Sequence, residues 1–103
     1  MVEREELVKM IGFIVHNIGD FVGVAVRDLV RDEDVEGWCM ENDDTLRVKV
    51  TENIPLGHKI ALRPTEIGRQ VIKYGVSIGL ATNAIGVGDH VHVHNLRSSR
   101  WRT

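Results

Sequence analysis

Apolar and polar residues alternate with a period of two over much of this chain, the spacing of β-strands with one dry face and one wet face. Ile11, Phe13 and Val15 alternate with Gly12, Ile14 and His16, and the run stops at the turn-forming sequence Asn17-Ile18-Gly19-Asp20. A second run over 21–30 is rich in β-branched residues, with Val22, Val24 and Val26 on one face. It predicts a strand that ends in the solvated charge cluster Arg31-Asp32-Glu33-Asp34. Gly37-Trp38-Cys39-Met40 predicts a short strand. Asn42-Asp43-Asp44 then predicts a hairpin turn into 45–50, where Leu46, Val48 and Val50 face inward and Arg47 and Lys49 face water. Helical spacing is confined to residues 1–9, where Val2, Glu5, Glu6 and Lys9 can pair.

The second half continues the pattern. Pro55 and Gly57 bracket a tight turn before a strand at 58–62, leaving His58 and Lys59 at its mouth, where a polar pair can face a ligand. Pro64-Thr65-Glu66-Ile67-Gly68 turns the chain into apolar runs at 71–75 and 76–81. Gly88-Asp89 then starts a strand over 90–94, with His90, His92 and His94 on one face and Val91 and Val93 on the other.

Composition narrows the class. A chain of 103 residues forms one small domain, with its core over about 11–96, and has little room for a large catalytic cleft. A net charge of -2 argues against a general nucleic-acid or membrane-surface binder. The arginines around Trp101 fit a protein interface better than a nucleic-acid site. Cys39 is the sole cysteine, so no disulfide forms within the chain. With no secretory or membrane-spanning segment in view, a cytoplasmic location is expected. Among apolar neighbours, Cys39 reads as a core filler and not as a nucleophile.

Candidate chemistry concentrates on the histidines. On a regular strand, same-face positions advance by roughly 6.5 Å, which would put His90 and His94 about 13 Å apart at the backbone. Metal–imidazole bonds of about 2 Å then allow an adjacent pair, but not all three, to share an ion. The alternative is a polar strand face open to water. Lys73 and Tyr74, next to Gly75, could approach an anion or simply lie on the surface. Asp43 and Asp44 lack the glycine and distal glutamate of a calcium loop, and the glycine-spaced loop 83–88 lacks the lysine and following helix of a phosphate loop. Val-His-Asn occurs at 15–17 and 93–95, too short a match to establish an internal repeat.

Pro55-Leu56-Gly57-His58-Lys59-Ile60-Ala61-Leu62, Val71-Ile72-Lys73-Tyr74-Gly75, Ile78-Gly79-x-Ala81 and Gly88-Asp89-x-Val91-His92-Val93-His94-Asn95-Leu96 together resemble the amino-terminal SAF-type domain of the altronate and galactarate dehydratase family. The likeness extends from about 13 to 101 and is strongest to members that make this domain as a separate small (alpha) subunit, the sulfolactate sulfo-lyases. It implies an all-β fold, the SAF-type β-clip of bent hairpins. His58, Lys59, Lys73, Tyr74 and Asn95 match as substrate-binding positions, and His92 and His94 as metal ligands. His90 has no counterpart, because altronate dehydratases tend to carry an aromatic residue there. His16 and Asp20 match only loosely.

The activity implied is β-elimination from a 2-hydroxy acid. A divalent metal, iron(II) by resemblance, would activate the substrate's oxygens, and the leaving group would be sulfite or water. No general base is evident in the sequence. The base, and the catalytic domain fused to this module in the dehydratases, would belong to a large catalytic (beta) subunit acting on sulfolactate or a sugar acid. The competing expectation is a non-catalytic module that binds sugar acids or joins two proteins, with its histidines merely polar.

Overall fold

Four-residue turns set the layout of the chain. In the computed structural model, which describes residues 10–98, the third residue of five turns has positive φ: Gly19, Asp32, Gly57, Gly68 and Gly88. A type II turn requires that conformation, and glycine adopts it without a Cβ penalty. Each turn closes by a backbone bond from its fourth residue to its first, at Asp20–Asn17, Glu33–Val30, His58–Pro55, Arg69–Glu66 and Asp89–Gly86. In three of them the fourth side chain also bonds back to the first amide: Asp20 to Asn17, Glu33 to Val30 and Asp89 to Gly86.

Among the described residues lie nine short strands: β1 (Ile11–Val15), β2 (Val22–Ala25), β3 (Asp34–Cys39), β4 (Thr45–Lys49), β5 (Lys59–Ala61), β6 (Gln70–Lys73), β7 (Val76–Ala81), β8 (His90–Val91) and β9 (Leu96–Ser98). Six form one sheet in the order β4-β3-β1-β2-β5-β8, and β6-β7-β9 form a second. All pairings are antiparallel except β1 with β3. This is the all-β architecture of bent hairpins expected of a β-clip. The helix expected over 1–9 and the tail around Trp101 lie outside the described residues.

Two apolar clusters hold the sheets. One surrounds Phe13, which is fully buried with Leu29, Val35, Val50, Ile54 and Ile60, and includes the buried Val15. Burying a phenyl ring of this kind contributes about 3 kcal/mol relative to exposure. Gly37 on β3 leaves the space that the Phe13 ring fills; a Cβ there would collide with it. The other cluster joins Val22, Ala61, Val71, Ala81, Ile85 and Val91. Cys39 is buried in the first cluster as a filler.

Two expected strands are shorter than their alternation suggests. The run 21–30 is a strand only over Val22–Ala25; beyond it, Leu29 makes an isolated bridge with Ile54. The histidine run departs further. β8 ends at Val91, and residues 92–95 form a turn, because the Asn95 carboxamide offers the backbone a better local arrangement than a strand. Its Oδ1 accepts the His92 amide at 2.9 Å and its Nδ2 donates to the His90 carbonyl at 2.8 Å. The Asn95 and Leu96 amides both donate to the His92 carbonyl.

Candidate functional site

The Asn95 turn changes what the histidines can do. Folding the backbone back at 92–95 removes the spacing of a regular strand and stacks the rings. His90 lies 5.4 Å from His92 and 5.3 Å from His94, centroid to centroid. His58 joins them, 5.0 Å from His90 and 4.5 Å from His92, because the 55–58 turn delivers it beside β8. His58 Nδ1 and His90 Nε2 are hydrogen-bonded at 2.8 Å. Glu52 completes the group, with Oε1 3.8 Å from His94 Nε2.

Among the described residues, two sets have ligand-capable atoms within 4.8 Å of one another: His58, His90 and His92, and Glu52, His90 and His94. Imidazole nitrogens and a carboxylate are the donors that hold first-row divalent ions. This donor chemistry therefore fits a metal. Burial, followed by the neighbouring His58 and His94, lowers the His90 pKa below its ordinary value of 6.5, against the opposing pull of Glu52. At neutral pH that ring is uncharged, the form that binds a metal.

A second polar cluster adjoins through Lys59, the residue after His58. Lys59 and Lys73 are close enough to repel, and Lys73 has a lowered pKa caused first by burial and then by Lys59, with Asp20 opposing. Lys73 Nζ lies 4.5 Å from the centre of the Tyr74 ring, and that ring stacks on His16 at 4.5 Å. Burial and Lys73 lower the pKa of His16, again against Asp20, and its buried Nδ1 has no hydrogen-bond partner. Asp20, itself buried, ties this region together by accepting the Tyr74 amide at 2.9 Å and the Asn17 amide at 3.2 Å. Lys59 and Lys73 make this region cationic, with the Asp20 carboxylate as the opposing charge.

The seven matched residues are thus distributed unevenly. His58, His92 and His94 meet around His90, while Lys59, Lys73 and Tyr74 mark the adjoining cationic patch. Asn95 is buried, and both ends of its amide shape the turn. His90, Glu52, His16 and Asp20 stand outside the predicted set. His90 was visible in the His-x-His-x-His spacing, but a regular strand would have kept it from His94. Asp20 and His16 flanked a recognisable turn. Glu52 is brought in from 38 positions before His90, and no local signal marks it.

The patch is open. His92 and His94 are exposed, and a groove lined by Phe21, Arg69, Gln70 and Ile72 contains none of these residues. Among the described residues, no helix is long and apolar enough to cross a membrane.

Comparison with known proteins identifies the family of the chain. The model of the altronate/galactarate dehydratase SAF domain matches residues 11–99. The chain is 45% identical over 92 residues to (2R)-sulfolactate sulfo-lyase subunit alpha of Chromohalobacter salexigens, covering 88% of this chain and 98% of that one. It is 43% identical over 61 residues to the protein of the same name from Paracoccus pantotrophus, covering 59% of this chain and 90% of that one. The altronate dehydratase of Bacillus subtilis is 33% identical over 90 residues, which span 87% of this chain but only 17% of the longer enzyme. The chain therefore belongs to the altronate/galactarate dehydratase SAF-domain family.

Proposed function

We propose that this chain is the small subunit of a metal-dependent lyase that acts on a 2-hydroxy acid by β-elimination, with sulfolactate as substrate and sulfite and pyruvate as products. The observation that carries the reading is the match to a sulfo-lyase alpha subunit over 98% of that subunit's length. The match to altronate dehydratase covers a small fraction of a much larger enzyme. A cytoplasmic setting, where Cys39 stays reduced, suits such a protein.

The proton to be removed is on the carbon that bears the hydroxyl and carboxylate, and sulfite leaves from the neighbouring carbon with the bonding pair. The enol formed then ketonises to pyruvate. A divalent ion, iron(II) by the family resemblance, supplies Lewis-acid activation of the hydroxyl and carboxylate oxygens when bound. His92 and His94 are the residues that the resemblance assigns to it. Lys59 and Lys73 offset the carboxylate and sulfonate charge, while His58 and Tyr74 border the substrate. Asn95 contributes by fixing the backbone of His90 and His92.

The chain needs a partner in this reading. Elimination requires a positioned base and exclusion of water, and the exposed patch offers neither. The large subunit would cover His58, Lys59, Lys73, Tyr74, His92 and His94 and supply the base. Mixing this chain with a candidate large chain, under anaerobic iron(II), should release sulfite and pyruvate from sulfolactate only when both chains are present. Turnover by the small chain alone would refute the subunit assignment. Dehydration of altronate or galactarate without sulfite release would replace sulfo-lyase by hydro-lyase.

A further inference from the structure

His90 has no counterpart in the family resemblance, yet both candidate donor sets require it. The backbone at each ligand of the first set is fixed. His58 closes the 55–58 turn and its carbonyl accepts the Ala25 amide; His90 pairs with Ile60 on β5; and the His92 amide bonds Asn95. Three imidazoles are thus brought together by three separate backbone anchors, so little ordering remains for a ligand to impose. Their nitrogens also lie at a usable distance. Ligands around an ion with bonds of about 2.1 Å sit roughly 3.4 Å apart, so the 2.8 Å His58–His90 contact needs only a small side-chain opening.

The sharing of His90 limits occupancy. A neutral imidazole has one nitrogen with a free lone pair, while its other nitrogen carries a proton. His90 can therefore serve one set at a time. Three nitrogens suit a borderline ion of the iron-to-zinc series better than a hard ion such as magnesium. Glu52 and His94 form the alternative, in which a carboxylate replaces one of the three nitrogens and the Glu52–His94 separation is 3.8 Å.

We propose that His90 is the pivot of a metal site which this chain forms without its partner: one divalent first-row transition ion bound by His58, His90 and His92, with Glu52 and His94 as an alternative set on the same imidazole. The proposal deepens the metal reading above, replacing His94 in the principal set, but its test needs neither the large subunit nor turnover.

The full chain, stripped with chelator, is titrated with Co2+ at neutral pH while visible d–d absorption and equilibrium dialysis are followed. One Co2+ per chain is expected. His90→Phe, which retains an aromatic ring, should weaken binding by about tenfold or more, as should His58→Gln and His92→Gln, with a smaller loss for His94→Gln. Circular dichroism establishes that each variant is folded. If His90→Phe does not fold, His58→Gln and His92→Gln decide the matter. No binding to the wild-type chain, two ions per chain, unchanged affinity in folded variants of the first set, or a larger loss at His94 would each overturn the proposal. Co2+ binding with no lyase activity in the two-chain assay would remove the functional reading and leave this site standing; an active complex whose free small chain binds no Co2+ would do the reverse.

Discussion

Val-His-Asn occurs twice in this molecule, and its two copies are buried in opposite senses. At 15–17 the valine is in the Phe13 core and His16 packs against Tyr74, while Asn17 opens a turn that Asp20 closes. At 93–95 the valine is 80% exposed, His94 reaches Glu52, and Asn95 closes the turn from a buried position. The difference is one of phase relative to a four-residue turn. When the asparagine opens the turn, the preceding valine still belongs to a strand; when it closes the turn, the valine stands at the tip. The same three residues thus build core in one region and expose a cluster of imidazoles in the other.

Substitutions should separate the two regions. Asp20→Ala carries the largest expected effect, a loss of about 3 kcal/mol, because it removes two backbone bonds to a buried carboxylate that joins the 17–20 turn to the β6–β7 hairpin. Urea denaturation measures it, and a loss below about 1 kcal/mol would mean that the linkage is not structural. Val15→Ala should follow at roughly 2 kcal/mol through the cavity it opens beside Phe13.

Acidity probes the first region next. His16 has a pKa below its ordinary value of 6.5, so the folded state resists a proton that the unfolded chain accepts. Its contribution to stability is complete above that ordinary value and is lost as pH falls toward the lower folded value. Between about pH 7.5 and about pH 5.5 the urea midpoint should fall, and His16→Phe should flatten part of that slope, the remainder coming from His90 with the same sign. An unchanged slope in the variant would remove His16 from the account. Val93→Ala is the smallest effect, within about 0.5 kcal/mol, since the side chain already faces water. A Val93 loss equal to that at Val15 would erase the contrast between the copies.

Much of the fold was legible because alternation and turn residues agree. β1, the β3–β4 hairpin around Asp43 and the turn at 55–58 lie where period and composition place them. The parallel β1–β3 pairing was not legible, since nothing local encodes which strands become neighbours. For the site, the residue types were visible and their assembly was not. Alternation over 90–94 is as regular as over 11–15, but a single carboxamide at Asn95 diverts the backbone, and Glu52 enters from a distant loop. Side-chain competition for backbone hydrogen bonds has no period that a hydrophobic pattern can reveal.

The central claim is that the Asn95 turn gathers His58, His90 and His92 into one cluster. Nuclear Overhauser contacts between histidine rings, measured on the metal-free chain with labelled imidazoles, test it most directly. Contacts between the His58 and His92 rings are expected in the wild-type chain and should be lost in Asn95→Ala while β1 contacts around Phe13 persist. Absence of His58–His92 contacts in the wild-type chain, with the signature of a continuous strand over 90–94, would contradict the account.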